Sequence, residues 1–389
     1  MKLWILVANL AQAGGSFAAV LLLARHQGLE AAGHFAFAQA ICTPITQLLS
    51  FQLKAIVLTH AEEELGIGPV ASLRWATTCV GLGIAFVLSA ACKPLVGLLM
   101  LAKLVESWAE LFQASNQRDG NTFHAAWSAV LRGCLLLASI LIAPNVETAI
   151  GVYLMLSLAE LCCLEVSRSE IRFDLDCSVL LPLIYRGGLL GLVMALQAMH
   201  VSIPRIVLER ESDAAALGVF ATLCVLMQCG NLVVSAYAQG ALSKLGRLGS
   251  DELFRFVAKP AIFAGLACAP LLLCAPWILG ALNLTQAPGA YEAFRAICFA
   301  QILIWPSTVI GYVLTARRLY REQVWISIGL NVCVLLSSAA FIPGFGAAGA
   351  AVAMGISGLA MVLVSAFALS ANGFRERIDM QFAQSRGDG

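Results

Sequence analysis

The chain alternates between long apolar runs and short polar connectors. The runs fall at residues 3–24, 33–53, 75–92, 94–115, 123–143, 147–165, 179–201, 214–240, 257–280, 293–315, 323–342 and 346–370. Each run is close to the ~20 residues that a helix needs to cross a bilayer, and none alternates with the two-residue period of a barrel strand. The pattern predicts an all-α polytopic membrane protein with about twelve transmembrane helices.

The composition supports this prediction. Hydrophobic residues make up 60% of the 389 residues and charged residues only 12%, whereas globular domains carry about 25% charged residues. The stretch 323–374 contains no Asp, Glu, Lys, Arg or His. Because all predicted external loops are short, we expect no extramembrane catalytic or receptor domain, and any function should lie within the membrane.

The distribution of Lys and Arg predicts an orientation. If the amino terminus is cytoplasmic, sixteen of the 24 basic residues lie on the cytoplasmic side, including Lys54 and Arg74 in predicted loops. Four lie outside, among them Lys93 and Arg205. The positive-inside rule then predicts a multi-pass protein of the bacterial inner membrane with both termini in the cytoplasm. A net charge of +1 gives no basic excess for nucleic acid.

The sequence contains a candidate internal repeat with an offset of 185 residues. The segment 23–36 contains Leu23, Arg25 and Gly33, and the segment 208–221 has Leu208, Arg210 and Gly218 at the same spacing. The pattern indicates two six-helix lobes, residues 1–178 and 179–389, a common transporter plan with the substrate path between the halves. The alternative is chance similarity between two hairpins rich in Ala, Leu and Gly.

Ionisable residues inside the predicted spans concentrate in the first half. The fourth span carries Lys103, Glu106 and Glu110 on one helix face, because their spacing is i, i+3 and i+7. The following three spans carry Arg132, Glu160 and Arg186, whereas spans eight to twelve carry only Arg295. Each such residue is costly in a membrane and is therefore a candidate for function.

Two interpretations of these charges stay open. They can neutralise each other and hold the fourth, fifth and sixth spans together. Alternatively, they can line a wet cavity in which the cations Lys103, Arg132 and Arg186 bind an anionic head group. In that case Glu106, Glu110 and Glu160 are candidates for ion coupling, and both roles can coexist.

Several motifs are missing from the sequence. It has no phosphate-binding GxxxxGK[ST] loop, no HExxH and no GxSxG. Its cysteines form no CxxC pair, and no histidine lies at zinc-ligand spacing. We therefore expect neither an enzyme nor an ATP-driven pump, and no cofactor or metal.

Four groups of segments carry a family resemblance. They are Leu22–Arg25 with Gly33–Ala38 and Phe51–His60; Leu104–Ser107 with Gln113 and Leu131–Gly133; Ile203–Arg205 with Leu208–Arg210; and Gly311–Arg317 with Ile342–Pro343 and Gly346–Ala351. Together they resemble the Wzx-type polysaccharide flippases, which export O-antigen and exopolysaccharide units. These flippases share a superfamily with multidrug extruders and lipid II flippases.

The resemblance implies two six-helix lobes around a central cavity and alternating access. It implies a polyprenyl-diphosphate-linked glycan as cargo, namely undecaprenyl-diphosphate-linked oligosaccharide, with membrane lipid, a polysaccharide polymerase and assembly proteins as partners. Residue by residue, it points to Lys54, Glu106 and Arg132. Lys54 and His60 depart from the Arg and Asp usual in the family, which weakens the case for a bidentate phosphate contact there.

Three competing functions remain at this stage. A multidrug or cation-coupled extruder of the same fold is the closest, because composition alone does not decide between an anion-binding and a cation-binding cavity. A membrane glycan polymerase or ligase typically needs a large external loop, which the chain lacks. The third is a scaffold role within a polysaccharide assembly complex.

Overall fold

The computed structural model describes residues 2–59, 66–165, 177–241, 245, 250–317 and 319–387, and these residues form helices without any strand. The helices are α1 (Lys2–His26), α2 (Leu29–Ser50), α3 (Leu53–Thr59), α4 (Ile67–Ala91), α5 (Pro94–Arg118), α6 (Thr122–Ile142), α7 (Val146–Glu160), α8 (Cys177–Glu211), α9 (Ala214–Gly240), α10 (Ser250–Leu273), α11 (Ala275–Ala281), α12 (Ala290–Ala316) and α13 (Tyr320–Gly387). A π-helical turn, Leu161–Glu165, continues α7.

The predicted spans fall on helices, although the second, 33–53, runs past the end of α2 into α3, and the ninth, 257–280, covers both α10 and α11. The last two spans form α13, which breaks at Gly346, where φ is 52° and ψ is −128°. Eight helical stretches of the described residues are long and apolar enough to cross a membrane, with 321–367 counted as one. α5 is not among them because it carries Lys103, Glu106 and Glu110. The predicted all-α polytopic fold is confirmed.

The chain forms two compact units. The first unit is Met1–Val225 with Gly280–Pro288, and the second unit is Leu226–Leu279 with Gly289–Gly389. The predicted lobe boundary after residue 178 stays a prediction. In the first unit, α1 packs on α6, α2 on α8, and α5 against α2, α4, α6 and α7. One face of the short helix α3 is buried in this unit, where Leu53 and Val57 are fully covered and pack with Val70 and Leu111.

A tight helix crossing in the first unit follows the predicted repeat. A Cβ atom at Gly33 would overlap the carbonyl oxygen of Ala214, and one at Gly218 would overlap the carbonyl oxygen of Leu29. Gly218 follows Gly33 by 185 residues, and Ala214 follows Leu29 by the same number. The contact is therefore reciprocal, as expected when two related hairpins meet about a pseudo-twofold axis, and it requires glycine at both positions.

The second unit has an apolar interior. α12 packs against α10 and α13, around a core that includes Trp305, Val309 and Leu314. The Trp305 ring stacks on Phe263 with centroids 5.7 Å apart. Small residues bring α12 and α13 together, because a Cβ at Gly358 would lie 3.2 Å from the amide nitrogen of Ile304. This is the packing expected of membrane helices.

Candidate functional site

The first unit encloses a cavity of about 470 Å³ with a strongly polar wall. Six charged side chains line it: Lys54, Arg74, Lys103, Glu106, Glu110 and Arg132. Hydroxyl and amide groups from α1, α2, α5 and α7 complete the polar wall, and Met194 of α8 lies at its edge. Four cations against two carboxylates make the lining net basic, which favours an anionic ligand.

Lys103 and Glu106 form an ion pair on the cavity face of α5. The Lys103 Nζ lies 2.6 Å from Glu106 Oε2, because the i, i+3 spacing places the two side chains on one helix face. Tyr153 of α7 donates its hydroxyl hydrogen to the other oxygen of Glu106 at 2.7 Å. The two charged side chains keep 23% and 20% of their surface exposed. This pair is therefore accessible from the cavity.

Arg132 forms the second ion pair, which lies deeper. Its Nε donates to Glu160 Oε2 at 3.0 Å, and its Nη2 donates to the Ser128 hydroxyl oxygen at 2.6 Å. Ser128 in turn donates to Glu160 Oε1 at 2.8 Å. The side chains of Arg132 and Glu160 are only 8% and 3% exposed. Arg132 reaches the cavity, whereas Glu160 lies behind it and joins α7 to α6.

Arg74 is a cavity residue that the sequence interpretation missed. The predicted loop position was wrong, because α4 begins at Ile67 and Arg74 lies within it, 3% exposed. Its Nη2 donates to the Ser50 carbonyl at 3.2 Å and its Nη1 to the Leu49 carbonyl at 3.5 Å. These carbonyls belong to the last turn of α2, where a cation complements the helix dipole. The apolar run 67–73 before Arg74 was the signal for a longer span.

A break between α2 and α3 positions Lys54, the second residue of α3. Phe51 and Gln52 have φ angles of 48° and 49°, which is strained for residues with a side chain. The Gln52 side-chain amide donates to Gln47 Oε1 at 3.0 Å, which holds the turn. α8 leaves room for this turn because residue 187 is a glycine. A Cβ there would lie 2.7 Å from the Phe51 carbonyl oxygen. The break turns the chain so that Lys54 lines the cavity.

A further charged cluster joins the ends of α2, α5 and α8. Lys93, just before α5, donates to Glu209 Oε1 at 2.8 Å, and its Nζ lies 3.1 Å from His34 Nδ1. His34 Nε2 lies 3.5 Å from Glu30. Lys93 precedes Lys103 by ten residues, or about 15 Å of helix, so this cluster is separate from the cavity. The sequence spacing of these residues gave no sign of it.

The structure thus brings together five of the seven predicted site residues: Lys54, Lys103, Glu106, Glu110 and Arg132. Glu160 holds Arg132 from behind the wall. Arg186 lies in α8, but its side chain is outside the described part of the structure, and His60 lies outside the described residues altogether. The functional roles of all seven stay predictions.

The chain has the fold of a multi-pass helical membrane protein, and its first unit holds a polar cavity. The chain superposes on the lipid II flippase MurJ in an inward closed conformation with a TM-score of 0.76, covering 95% of this chain and 88% of that one at 11% identity. For an inward-facing multidrug resistance MATE family transporter of the MOP superfamily, the TM-score is 0.71 at 12% identity, covering 92% and 95% of the two chains.

In sequence, the chain is 24% identical over 376 residues to the capsular polysaccharide biosynthesis protein CapF of Staphylococcus aureus. The match covers 91% of this chain and 94% of that protein. No protein-family model matches the chain. These likenesses confirm the predicted resemblance, to a capsular polysaccharide biosynthesis protein in sequence and to lipid II flippase and MATE transporters in fold. The solved neighbours are transporters rather than enzymes.

Proposed function

We propose that this protein is a flippase that moves an undecaprenyl-diphosphate-linked oligosaccharide from the cytoplasmic to the outer leaflet. The observation that carries the proposal is the net-basic cavity, where Lys54, Arg74, Lys103 and Arg132 converge within a membrane-spanning unit. The likeness to CapF, a capsular polysaccharide biosynthesis protein, and the fold shared with the lipid II flippase support the same substrate class.

The physical task fits such a cavity. A diphosphate that carries sugars cannot cross ~30 Å of hydrocarbon alone, because removing an ion from water costs several kcal/mol or more. The polyprenyl tail dissolves in lipid and needs no carrier. The protein therefore has to offer only the head group a basic, wet passage, and four cations at one cavity supply the charge.

The topology proposed for this function follows the positive-inside rule. Both termini lie in the cytoplasm, and the protein lies in the bacterial inner membrane, where a polysaccharide polymerase and assembly proteins would take over the flipped unit. A reporter fused after Gly389 should then read cytoplasmic, and one inserted at 282–289 external. Opposite signals from these two fusions would contradict the topology.

Transport proceeds by alternating access. Because the sequence has no ATP-binding motif, it is driven by an ion gradient or by consumption of the glycan outside. Glu106, Glu110 and Glu160 are the candidate ion-coupling groups, and Lys54, Lys103, Arg132 and Arg186 the candidate cations for the diphosphate.

The second candidate is a multidrug or cation-coupled extruder. The fold likeness to a MATE transporter favours it, as do the carboxylates of Glu106 and Glu110 in the lining. The excess of cations over carboxylates in the same lining counts against a cationic drug as substrate.

A deletion strain tests the two functions against each other. A flippase predicts that undecaprenyl-linked repeat units accumulate on the cytoplasmic leaflet and that surface polysaccharide is lost. Complementation with the wild-type gene should restore the polysaccharide, whereas a Lys103→Ala variant of equal membrane abundance should not. Normal polysaccharide with heightened sensitivity to cationic drugs would contradict the flippase and support the extruder.

A further inference from the structure

We propose that Glu106 is an exchangeable counter-ion: the diphosphate of the substrate replaces its carboxylate on Lys103, and Glu106 takes up one proton as the substrate binds. The inference rests on the proposed function and adds that binding of the substrate anion is accompanied by the uptake of a proton. The Lys103–Glu106 ion pair breaks, an ion pair between Lys103 and a phosphate oxygen forms, and a proton from water in the cavity joins Glu106 Oε2.

The contrast between the two ion pairs identifies Glu106 as the exchangeable group. Glu160 accepts hydrogen bonds from Arg132 and Ser128 on both oxygens and is 3% exposed, so a ligand in the cavity cannot reach it. Glu106 lines the cavity with 20% of its side chain exposed, and so does its partner Lys103 with 23%. An anion that enters the cavity therefore meets the Lys103–Glu106 pair.

The short distance between the partners favours the exchange. Glu106 Oε2 lies 2.6 Å from the Lys103 Nζ, so an anion bound to this ammonium group would be a close neighbour of the carboxylate. Two adjacent negative charges inside a membrane protein repel each other strongly because water screens them poorly. A largely covered carboxylate beside a second anion is neutralised by a proton more cheaply than it remains charged.

The hydrogen bond from Tyr153 leaves one oxygen of Glu106 free to take the proton. The Tyr153 hydroxyl donates to Glu106 Oε1 at 2.7 Å, and this oxygen keeps its acceptor role when the acid is neutral. The proton then lies on Oε2, the oxygen that faced Lys103. From there it can be donated to a phosphate oxygen, so that the former counter-ion becomes a ligand of the substrate.

Other charged groups surround this site and contribute to its titration. On α5 itself these are Lys103 and Glu110. From α6 and α7, Arg132, Tyr153 and Glu160 lie nearby, with Arg132 already paired to Glu160.

On the remaining sides, Lys54 of α3 and Arg74 of α4 line the same cavity. α2, which packs on α5, carries Cys42, whose thiol donates to the Val96 carbonyl. The proton is assigned to Glu106 because its carboxylate forms the 2.6 Å ion pair with the cavity-exposed Lys103.

Isothermal titration calorimetry of the purified full-length protein measures the proton directly. The probe is farnesyl diphosphate-linked N-acetylglucosamine, because its diphosphate diester keeps both negative charges at neutral and mildly acidic pH. Titration in buffers of different ionisation enthalpy counts the protons taken up per probe bound. We expect about one for the wild-type protein and an affinity that falls about tenfold per pH unit as the pH rises, as linkage requires for one proton.

The variant Glu106→Gln separates this site from the other carboxylates. Its amide keeps an acceptor for Tyr153 and imitates the neutral acid, so we expect binding without proton uptake and a flat pH profile. The matched control Glu147→Gln removes a carboxylate from the first turn of α7, outside the cavity, and should retain the wild-type proton count.

The outcomes separate the two proposals. Binding by the wild-type protein without proton uptake would overturn the exchange and leave the flippase standing, even if Glu106→Gln fails to fold. Equal uptake in the wild type and in Glu106→Gln, or its loss in Glu110→Gln instead, would also overturn it. Failure of the wild-type protein to bind the probe would contradict the proposed function itself.

Discussion

The two units of the chain solve the packing of membrane helices in different ways. Within the described residues, all buried charged side chains belong to the first unit: Arg74, Arg132, Glu160 and Arg205. In the second unit, the buried polar groups are hydroxyls and amides, and helices approach through glycines such as Gly358. Because an ionisable group in a membrane is expensive, it is retained where it is used. We therefore expect the chemistry to lie in the first unit.

The largest expected effect comes from breaking the buried pair of the first unit. Glu160→Leu leaves the Arg132 guanidinium without its carboxylate and should destabilise the protein by about 3–5 kcal/mol, as the loss of one partner of a buried ion pair does. Thermal unfolding in detergent, followed by size-exclusion chromatography, measures this loss.

The matched control for this pair is the double variant Glu160→Leu with Arg132→Met. It removes both charges and should recover most of the stability, since a buried ion pair rarely outperforms an apolar pair of similar volume. A Glu160→Leu protein that unfolds at the wild-type temperature would mean that Glu160 does not brace α6 and α7.

The reciprocal crossing between Gly33 and Gly218 gives a smaller effect. Gly33→Ala places a Cβ against the Ala214 carbonyl and should cost about 1–3 kcal/mol or more, because the backbone must move. Gly14→Ala in α1 is the control, since the space around its Cβ is open among the described residues. Equal melting temperatures of the two variants would contradict the crossing.

The smallest effect is expected in the second unit. Gln301 of α12 is 8% exposed, and neither its side-chain nitrogen nor its oxygen has a hydrogen-bond partner within the described residues. Gln301→Leu should therefore change the stability by less than about 1 kcal/mol and leave polysaccharide export intact. If export were lost from a stable Gln301→Leu protein, the chemistry would not be confined to the first unit.

The sequence was sufficient for the helices and for one face of the cavity. The apolar runs located the long helices of the fold, because a membrane helix must be apolar over most of its length. The i, i+3, i+7 spacing of Lys103, Glu106 and Glu110 fixed their common face, since this depends only on the helical period. Arg132 could be placed on the neighbouring span because it lies within the apolar run 123–143.

Other parts of the site depend on tertiary packing and left no local signal. Which carboxylate pairs with Arg132 depends on how α6 and α7 are rotated against each other, so Glu106 and Glu160 were equivalent candidates. The positive φ angles of Phe51 and Gln52 could not be anticipated, because such turns normally use Gly or Asn. Arg74 was assigned to a loop because a charged residue marked the edge of an apolar run.

The double variant Lys103→Leu with Glu106→Leu tests the central claim most directly, because it removes the exposed ion pair of the cavity without leaving an unpaired charge. If this pair only braced α5, a well-packed apolar pair would replace it at little cost. We predict a protein with near wild-type membrane abundance and melting temperature that exports no polysaccharide. A stable double variant that still exports polysaccharide would contradict the account and return these charges to a structural role.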